Sequence, residues 1–381
     1  MRNFFSALFL FVISVNAYSQ TSILGSIMHD GIERGYRLYV PTIYDGSQAV
    51  PLVLNLHGHT SNAFEQEVYG SFRAIADTAN FIVVHPEGTL DNTQSQYWNS
   101  FGDPGGPDDV SFLSALIDSI SSEYAIDMNC VYSTGMSNGG FMTYKLGCEL
   151  GHRIAAIASV TGTMVQAEVN ACDPVHPTPV MHVHGTADPT VPYLGSVPQT
   201  MLSVQSVVDY WALFNNCNMT PTETAVPDIN LTDGCTTDHF VYGGGDLGTS
   251  VELYRVNGGQ HTWPGSPTFI TIGVTSQDFS ASVEIWRFFR QYKLNELTTG
   301  VEENVSEENM TVYPNPSNGV VQIRFESAAE RTVRVHDARG KLVLDRFLDQ
   351  AQFNLELEKA GIYLLTVVSE AVASTRKLII N

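Results

Sequence analysis

The sequence predicts an α/β protein, with a mostly parallel sheet flanked by helices, followed by a small all-β sandwich. Between residues 23 and 292, short apolar runs typical of buried strands alternate with segments of helical character. A Gly-x-Ser-x-Gly pentapeptide at 135–139 lies between one of these strands and a helix. From Met310 the pattern changes to short strands of alternating polarity, which is typical of a separate β domain.

The elements of the α/β unit follow from local signals in the chain. The pair Asp30-Gly31, a favoured hairpin turn, predicts a hairpin of strands 23–29 and 33–40. Apolar runs predict further strands at 52–56, 81–85, 131–133, 180–184 and 251–256. Helices are predicted at 62–79, 109–124, 141–146, 203–215 and 280–292, with Asp108 or Asp109 as the cap of the second.

The N terminus has the pattern of a secretory signal. Arg2 precedes an apolar run at 4–15, and Ala17 and Ser19 provide the small residues that cleavage needs. This run is shorter than the roughly 20 residues of a membrane span, and no later run in the sequence is long enough. A buried N-terminal helix is the alternative. We therefore predict a signal peptide at 1–19, the α/β unit at 20–293, a polar linker at 294–309 and the β domain at 310–381.

The charge balance limits the class of partner. The chain has 40 acidic and 19 basic residues, for a formal net charge of −21. Most of the excess of acidic residues lies before residue 300, where the chain has 28 acidic and 10 basic residues. A surface this acidic argues against nucleic acid or an anionic membrane as a partner.

Five cysteines are expected to pair in an exported protein, with one left over. Cys148 and Cys172 could close the loop after the helix that follows the pentapeptide, and Cys217 and Cys235 could staple a polar loop. Cys130 begins a buried strand and is the expected free thiol. Since the sequence has no Cys-x-x-Cys motif, we expect no zinc or redox site.

Three residues in chain order predict a nucleophilic triad. Ser137 lies at the centre of the pentapeptide, in a turn that would hold its hydroxyl at the start of a helix. Asp188 and His261 each follow a predicted strand, and Ser…Asp…His is the order of the α/β-hydrolase triad. In this arrangement the serine attacks, the histidine transfers the proton and the aspartate orients the histidine. The alternative is an ordinary serine in a glycine-rich turn.

Backbone N–H groups near Ser137 predict an oxyanion hole. Asn138 would offer its N–H at the start of the helix. A second donor is expected from the loop after strand 52–56, from the backbone of His59 or Thr60.

Aromatic residues near the motifs are candidates for substrate binding. Trp98, in an aromatic loop at 94–107, and Trp263 and Tyr193, beside the triad motifs, could form a wall for an aromatic or sugar substrate. The alternative for the loop aromatics is packing on the core. His182 and His184 share one face of a strand, but no third ligand is placed, so we expect no metal there and no cofactor.

Three strings in this unit resemble a known family. Gly-Met-Ser-Asn-Gly-Gly at 135–140, the string at 184–193 and His-Thr-Trp-Pro-Gly at 261–265 are similar to the polyhydroxybutyrate-depolymerase/feruloyl-esterase family of secreted serine esterases. The resemblance covers about 27–292 and implies a carboxylic ester hydrolase of the α/β-hydrolase fold.

The expected substrates are feruloyl or acetyl esters of xylan in plant cell walls. A polymer cannot enter a cell, so its esterase must act outside, and the sequence shows no separate apolar module for binding polyester granules. The alternatives are a polyhydroxybutyrate depolymerase, a peptidase, and a surface-displayed binding protein that has lost activity.

The C-terminal domain resembles a secretion signal of another kind. Strands are predicted at 320–325, 332–336, 342–347, 361–368 and 374–380. The strings at 312–319, 337–341, 361–363 and 375–380 are similar to the C-terminal sorting domain of the type IX secretion system. The resemblance implies the type IX machinery as a partner and a secreted or cell-surface location, reached through the periplasm and outer membrane. The alternative is a carbohydrate-binding sandwich, although the aromatics of this region are expected in the strand core.

Overall fold

The computed structural model describes residues 22–197, 200–267, 273–297, 310–325, 327–329, 331–337, 342–357, 359–369 and 372–380. The chain divides into two compact units, one ending at Thr298 and one beginning at Thr299. The predicted signal peptide and most of the predicted linker lie outside the described residues. Within the described ranges, no helix is long and apolar enough to cross a membrane.

A mostly parallel sheet forms the centre of the first unit, which confirms the predicted α/β class. The strands are β1 Ile23–His29, β2 Ile32–Tyr39, β3 Val50–Leu56, β4 Ile82–Pro86, β5 Thr89–Leu90, β6 Gln96–Tyr97, β7 Ile126–Met136, β8 Ala156–Val160, β9 Val180–Gly185, β10 Thr222–Val226, β11 Thr236–Tyr242 and β12 Val251–Asn257. The sheet order is β1-β2-β4-β3-β7-β8-β9-β12-β11-β10. The strands from β4 to β12 in this order are parallel, and antiparallel strands form both edges. β5 and β6 pair separately as a ribbon.

Helices cover both faces of this sheet. They are α1 Ala63–Gly70, α2 Arg73–Ala79, α3 Asp109–Glu123, α4 Asn138–Glu149, α5 Gln166–Ala171, α6 Val204–Phe214, α7 Ala281–Phe289 and α8 Leu294–Leu297. Phe112 of α3 and Trp211 of α6 are buried on one face, and Phe72 at the start of α2 is buried on the other. Of the two predicted caps of α3, Asp108 is the one observed, because its side chain accepts from the N–H of Ser111 at 3.0 Å.

The predicted helix 62–79 is in fact two helices. Ser71 ends α1 in the left-handed region, at φ 47°. A Cβ added to Gly70 would lie 2.4 Å from Nδ2 of Asn55, so the glycine brings the helix end close against β3. The hydroxyl of Ser282 in α7 donates to the carbonyl of Gly70 and satisfies a group that the helix end leaves unpaired.

One disulfide joins the helix after the pentapeptide to the following helical segment. Cys148 near the end of α4 is bonded to Cys172, which confirms this predicted pair across a sequence separation of 24 residues. Cys130 is free and buried, as predicted. Cys217 and Cys235 are also free and buried, so the prediction of a bridge between them is wrong.

The fold keeps Cys217 and Cys235 apart. Sγ of Cys217 lies 3.9 Å from the carbonyl oxygen of Thr249, just before β12 begins. Cys235 precedes Thr236, the register partner of Asn257 at the other end of β12. A seven-residue strand spans roughly 20 Å, whereas bridged Cα atoms lie within about 7 Å. The two thiols also belong to clusters on opposite faces of the sheet. The region between them, which the sequence suggested was a loop, contains β10.

The first unit continues beyond its predicted end. Leu294–Leu297 forms α8, although residue 294 was the predicted start of the linker. Leu297 is 1 % exposed and joins the core cluster that contains Tyr132 of β7. The unit therefore uses at least four residues that the sequence assigned to the linker.

The second unit is built from antiparallel strands. They are β13 Met310–Tyr313, β14 Val320–Phe325, β15 Arg331–Asp337, β16 Leu342–Leu348, β17 Gln352–Glu356, β18 Gly361–Ser369 and β19 Val372–Ile380. The two sheets have the orders β13-β14-β17 and β16-β15-β18-β19, and buried Val321 and Leu365 lie in the core cluster. The five predicted strands are present, and β13 and β17 are additional.

The aromatic residues of this second unit divide between core and surface. Phe325, Phe353 and Tyr363 lie in the core cluster, as expected. Tyr313 and Phe347 are 62 % and 63 % exposed, so the expectation that they belong to the strand core is wrong.

Candidate active site

Ser137 lies at a sharp junction between β7 and α4. Its backbone has φ 54° and ψ −119°, a conformation that a non-glycine residue adopts only where the surroundings enforce it. Its N–H donates to the carbonyl of Val160 in the neighbouring strand at 2.9 Å. A Cβ on Gly135 would lie 2.6 Å from the backbone of Gly139, and one on Gly139 would lie 2.3 Å from the carbonyl oxygen of Leu56. The glycines of the pentapeptide thus allow strand and helix to meet at the serine.

His261 and Asp188 form a hydrogen-bonded pair. They follow β12 and β9, which are parallel neighbours, so both lie beyond the carboxyl ends of their strands. Nδ1 of His261 is 2.7 Å from Oδ2 of Asp188. The other carboxylate oxygen accepts from the N–H groups of Thr190 and Val191, at 2.8 and 2.9 Å.

The carboxyl group of Asp188 is ionised in spite of its burial. Burial alone would raise its pKa, but hydrogen bonds from His184 and His261 and from the N–H of Val191 lower the pKa well below its ordinary value. A carboxylate in this position accepts a hydrogen bond from the protonated Nδ1 of His261. The other ring nitrogen, Nε2, is then available to take a proton.

Ser137 and His261 both face one cleft of about 240 Å³, most of whose lining residues carry polar side chains. Among the residues that the structure describes, no hydrogen bond joins Oγ of Ser137 to the ring of His261. Such bonds are often long when no substrate is bound. The rest of the lining is Gly58, His59, Thr60, Ser61, Glu65, Gln66, Tyr69, Met136 and Thr262.

The two predicted alternatives for the second oxyanion donor can be distinguished. The N–H of Thr60 donates to the carbonyl of Gln96 at 2.9 Å, so it is not available and the Thr60 alternative is wrong. The backbone N–H of His59 is therefore the remaining candidate. The ring of His59 is held by Asp91, since its Nε2 lies 2.9 Å from a carboxylate oxygen of that residue. Asn138 is the first residue of α4, and the first N–H groups of a helix lack an acceptor within the helix.

His57 holds the peptide that carries the N–H of His59. Its Nε2 accepts from the N–H of Gly88 at 2.9 Å, so its proton lies on Nδ1 and is donated to the carbonyl of Gly58 at 2.8 Å. Burial lowers the pKa of His57 to about 4, which keeps the ring neutral. Since the Gly58 carbonyl and the His59 N–H belong to one planar peptide, fixing the carbonyl fixes the direction of the N–H. Sequence reasoning missed this role of His57, although the residue directly follows a predicted strand.

None of the three predicted substrate aromatics lines the cleft. Trp98 and Trp263 are each 1 % exposed, and their ring N–H groups donate to the carbonyl of His57 and the hydroxyl of Ser282. Tyr193 is half-buried, with its ring edge-on to His184. The predicted aromatic wall is therefore wrong for these residues, because Trp98 and Trp263 lie in the core and Tyr193 packs against it. The aromatic residue in the cleft is Tyr69, on α1 together with Glu65 and Gln66, and the sequence predicted that segment only as a helix.

The two histidines of β9 do not form part of a metal cluster. In the described part of the chain, no group of three or more His, Cys, Asp or Glu side chains is placed to hold a metal ion. His182 and His184 instead bond to each other, with 3.0 Å between their ring nitrogens.

Each of the two units matches a family model. Residues 34–196 match the family described as Esterase PHB depolymerase, and residues 311–381 match the family described as Secretion system C-terminal sorting domain. These matches lie in the two units that the structure separates.

Curated proteins similar to this chain carry esterase names. The candidate esterase NocK of Nocardia uniformis subsp. tsuyamanensis is 29 % identical over 290 residues, which are 69 % of this chain and 80 % of that protein. The bifunctional acetylxylan esterase/xylanase XynS20E of Neocallimastix patriciarum is 34 % identical over 43 % of this chain, and feruloyl esterase B of Piromyces equi is 28 % identical over 58 %. The chain spans only 22 % and 41 % of the lengths of these last two proteins.

Among solved structures, the acetyl xylan esterase from Aspergillus awamori superposes with a TM-score of 0.48 at 15 % sequence identity, over 70 % of this chain and 99 % of that one. The family matches and the curated relatives agree with the fold in hand. The protein is a secreted or cell-surface carboxylic ester hydrolase, whose first unit is similar to the family described as Esterase PHB depolymerase and whose second unit is similar to the family described as Secretion system C-terminal sorting domain.

Proposed function

We propose that the protein is an extracellular serine esterase that removes acyl groups from plant cell-wall polysaccharide, with acetylated xylan as its best substrate and feruloylated xylan second. The observation that carries the proposal is the shared cleft: a strained Ser137 and the Asp188-bonded His261 face one small polar space. Such a site fits a small acyl group attached to a polar alcohol.

The arrangement supports an acyl-enzyme mechanism. Oγ of Ser137 attacks the ester carbonyl while Nε2 of His261 takes its proton, and Asp188 orients the imidazole and stabilises its charged form. The N–H groups of Asn138 and His59 stabilise the negative oxygen of the tetrahedral intermediate. His261 then protonates the leaving sugar oxygen, and a water molecule, activated by the same ring, releases the acid from Ser137.

The lining of the cleft favours acetyl over feruloyl groups. Trp98 and Trp263 lie in the core and Tyr193 packs against it, so Tyr69 is the only Phe, Tyr or Trp side chain along the described lining. An acetyl group needs no aromatic wall, whereas a feruloyl ring gains about 0.5–1.5 kcal/mol from one beyond area burial. Glu65 and Gln66 offer polar atoms to the hydroxyl groups of a sugar.

The names of the relatives and the C-terminal unit also support an extracellular esterase that acts on wall polymers. Two of the similar proteins are named as an acetylxylan esterase/xylanase and a feruloyl esterase. The sorting domain implies recognition by type IX machinery and release outside the cell, where wall polymers are found. The first-unit family is named for polyhydroxybutyrate depolymerase, so a polyester is the competing substrate.

A substrate panel tests the proposal on the purified mature protein. Acetate release from acetylated xylan, ferulate release from methyl ferulate and clearing of a polyhydroxybutyrate film are compared, with Ser137→Ala as the matched control. We expect acetate release to be fastest and to be lost in the control. Clearing of the film without release of acetate or ferulate would establish the polyester instead. Binding of xylan with no hydrolysis of any substrate would indicate a protein that only binds.

A further inference from the structure

The two histidines on one face of β9 belong to a buried polar chain that the proposed mechanism does not use. Nδ1 of His182 lies 2.5 Å from the hydroxyl of Tyr144, and its Nε2 lies 3.0 Å from Nδ1 of His184. Nε2 of His184 lies 2.8 Å from the carbonyl oxygen of Val191 and 3.4 Å from Oδ2 of Asp188. The three side chains of this Tyr144–His182–His184 chain are each 0 % exposed.

We propose that the Tyr144–His182–His184 chain is a positioning device for the triad, which fixes the Asp188 loop against the nucleophile helix and shares the charge of Asp188 with His261. The inference rests on the proposed roles of Ser137, Asp188 and His261. It adds two positioning residues on β9 and one on α4 to that site.

The direction of every proton in the chain follows from its last member. Both partners of Nε2 of His184, a carbonyl and a carboxylate, are acceptors, so this nitrogen carries a proton. In a neutral ring Nδ1 of His184 is then an acceptor, and Nε2 of His182 must donate to it. Nδ1 of His182 in turn accepts, so Tyr144 donates its hydroxyl proton.

Burial makes this neutral arrangement the stable one. Burial and the neighbouring His184 lower the pKa of His182 well below its usual value, and burial raises the pKa of Tyr144 well above its usual value. Neither group is charged near neutral pH, and each ring nitrogen of the chain has one partner of the required kind. A fully satisfied buried chain of this type is rigid, because any tautomer change leaves a buried group unpaired.

The Tyr144–His182–His184 chain connects two elements, α4 and β9, whose separation sets the geometry of the proposed triad. Tyr144 is on α4, the helix whose first residue follows Ser137, and its ring stacks on Trp211 of α6 at 6.2 Å. His182 and His184 are on β9, which leads directly into the loop of Asp188. The chain therefore links the helix of the nucleophile to the strand of the acid.

The end of the chain reaches the atom that orients His261. Oδ2 of Asp188 accepts from Nδ1 of His261 at 2.7 Å, and Nε2 of His184, which is bonded to the carbonyl of Val191, lies 3.4 Å from the same oxygen. The other titratable or charged groups that face His184 are Tyr193, edge-on at 6.0 Å, and Arg255, its register partner on β12, which is paired with Asp238 at 2.8 Å. Arg255 is paired with Asp238, so the two rings next to Oδ2 of Asp188 are those of His261 and His184.

The test compares substitutions that keep or remove the donated N–H. Gln carries an amide nitrogen near the position of Nε2, whereas Leu has none. We expect His184→Leu to lower kcat at least about tenfold with KM within about twofold, since the lost interaction acts on the reacting groups rather than on substrate binding. We expect His184→Gln to recover most of that loss.

The pH profile separates positioning from mere stability. Without the His184 donor, Oδ2 of Asp188 holds more charge for His261 and stabilises its protonated form. The acid limb of kcat/KM should therefore move to higher pH in His184→Leu and return in His184→Gln. A substitution that only loosens the fold lowers the melting temperature and leaves the limb in place.

The more distant links keep the test informative if His184→Leu does not fold. Tyr144→Phe removes the bond to His182, and His182→Gln alters the bonds that His182 makes to Tyr144 and His184. Their effects on kcat should be smaller than that of His184→Leu and should decrease with distance from Asp188. All variants are assayed as the whole mature protein on 4-nitrophenyl acetate. Unchanged kcat and an unchanged acid limb in every folded variant would overturn the proposal. Retained activity in Ser137→Ala would instead overturn the triad itself.

Discussion

Asn138 and Trp98 are joined by two hydrogen bonds that run in opposite directions. The N–H of Trp98 donates to Oδ1 of Asn138 at 2.7 Å, and Nδ2 of Asn138 donates to the carbonyl of Trp98 at 3.1 Å. The same Nδ2 donates to the hydroxyl of Ser100 at 3.0 Å. The segment after β6 is thereby tied to the first residue of α4, whose N–H is the proposed oxyanion donor.

This pair of hydrogen bonds predicts a kinetic role for the Asn138 side chain. Asn138→Ala keeps the backbone N–H but releases the segment that holds it, so we expect kcat to fall about ten- to hundredfold with little change in KM. Ester hydrolysis by the purified variant measures both constants. Ser100→Ala removes only the third bond and should cost less than about threefold. Equal effects of the two variants on kcat would contradict the role of the Trp98 pair.

The proposed triad predicts unequal losses at its three members. Ser137→Ala or His261→Ala should lower kcat by about a million-fold, since the serine and histidine act as a unit. Asp188→Asn should cost about ten-thousand-fold, because the amide favours the wrong tautomer of His261. Active-site kinetics on folded variants, verified by circular dichroism, provide the measurement. Near-normal turnover by Ser137→Ala would refute the mechanism.

The positions of Ser137, Asp188 and His261 after their strands could be predicted because each motif is local in sequence. The substrate wall could not, because the sequence does not show that the ring of Trp98 points into the core and not into the cleft. Strand β8 escaped prediction because the small side chains of Ala156, Ala158 and Ser159 weaken the apolar pattern. Whether Cys217 and Cys235 meet depends on which ends of β12 they adjoin, and that is a property of the assembled sheet.

A buried histidine away from the cleft predicts a pH dependence of stability. Burial lowers the pKa of His85 to about 4, below the unfolded value near 6.5, so the unfolded chain binds a proton that the folded chain does not. Its contribution therefore destabilises the fold as the pH drops from about 6.5 towards 4, by about 3 kcal/mol at most. We expect His85→Leu to flatten this part of the curve of unfolding free energy against pH, measured by urea titration.

The exposed His152 provides the control for that experiment. We expect His152→Asn, which replaces a histidine on the surface, to leave the slope of the unfolding free energy against pH unchanged. A slope that is as steep in His85→Leu as in the unaltered protein would show that other groups cause the acid sensitivity.

The cysteine pattern predicts one bridge and three free thiols. In the chain-entropy model, closing a loop of 24 residues between Cys148 and Cys172 contributes about 3 kcal/mol to the free energy of unfolding. Cys148→Ser with Cys172→Ser should lose about that much in a urea titration. Mass mapping of unreduced peptides should find this bridge alone, and a peptide linking Cys217 to Cys235 would contradict the assignment.

The burial of Leu297 predicts where the first unit can be cut. A protein ending at residue 297 retains α8 and should keep both its melting temperature and its kcat, because the residues that line the proposed catalytic cleft all lie in the first unit. A protein ending at Tyr292 loses Leu297, which is 1 % exposed in the core cluster beside β7, and should unfold more readily by about 2–4 kcal/mol. Thermal melts of the two truncated proteins measure the difference.

In the source organism both should stay in the periplasm, since both lack the sorting domain at 311–381. Equal stability of the two truncated proteins would show that α8 adds nothing to the first unit, and export of either one would refute the sorting role of the second.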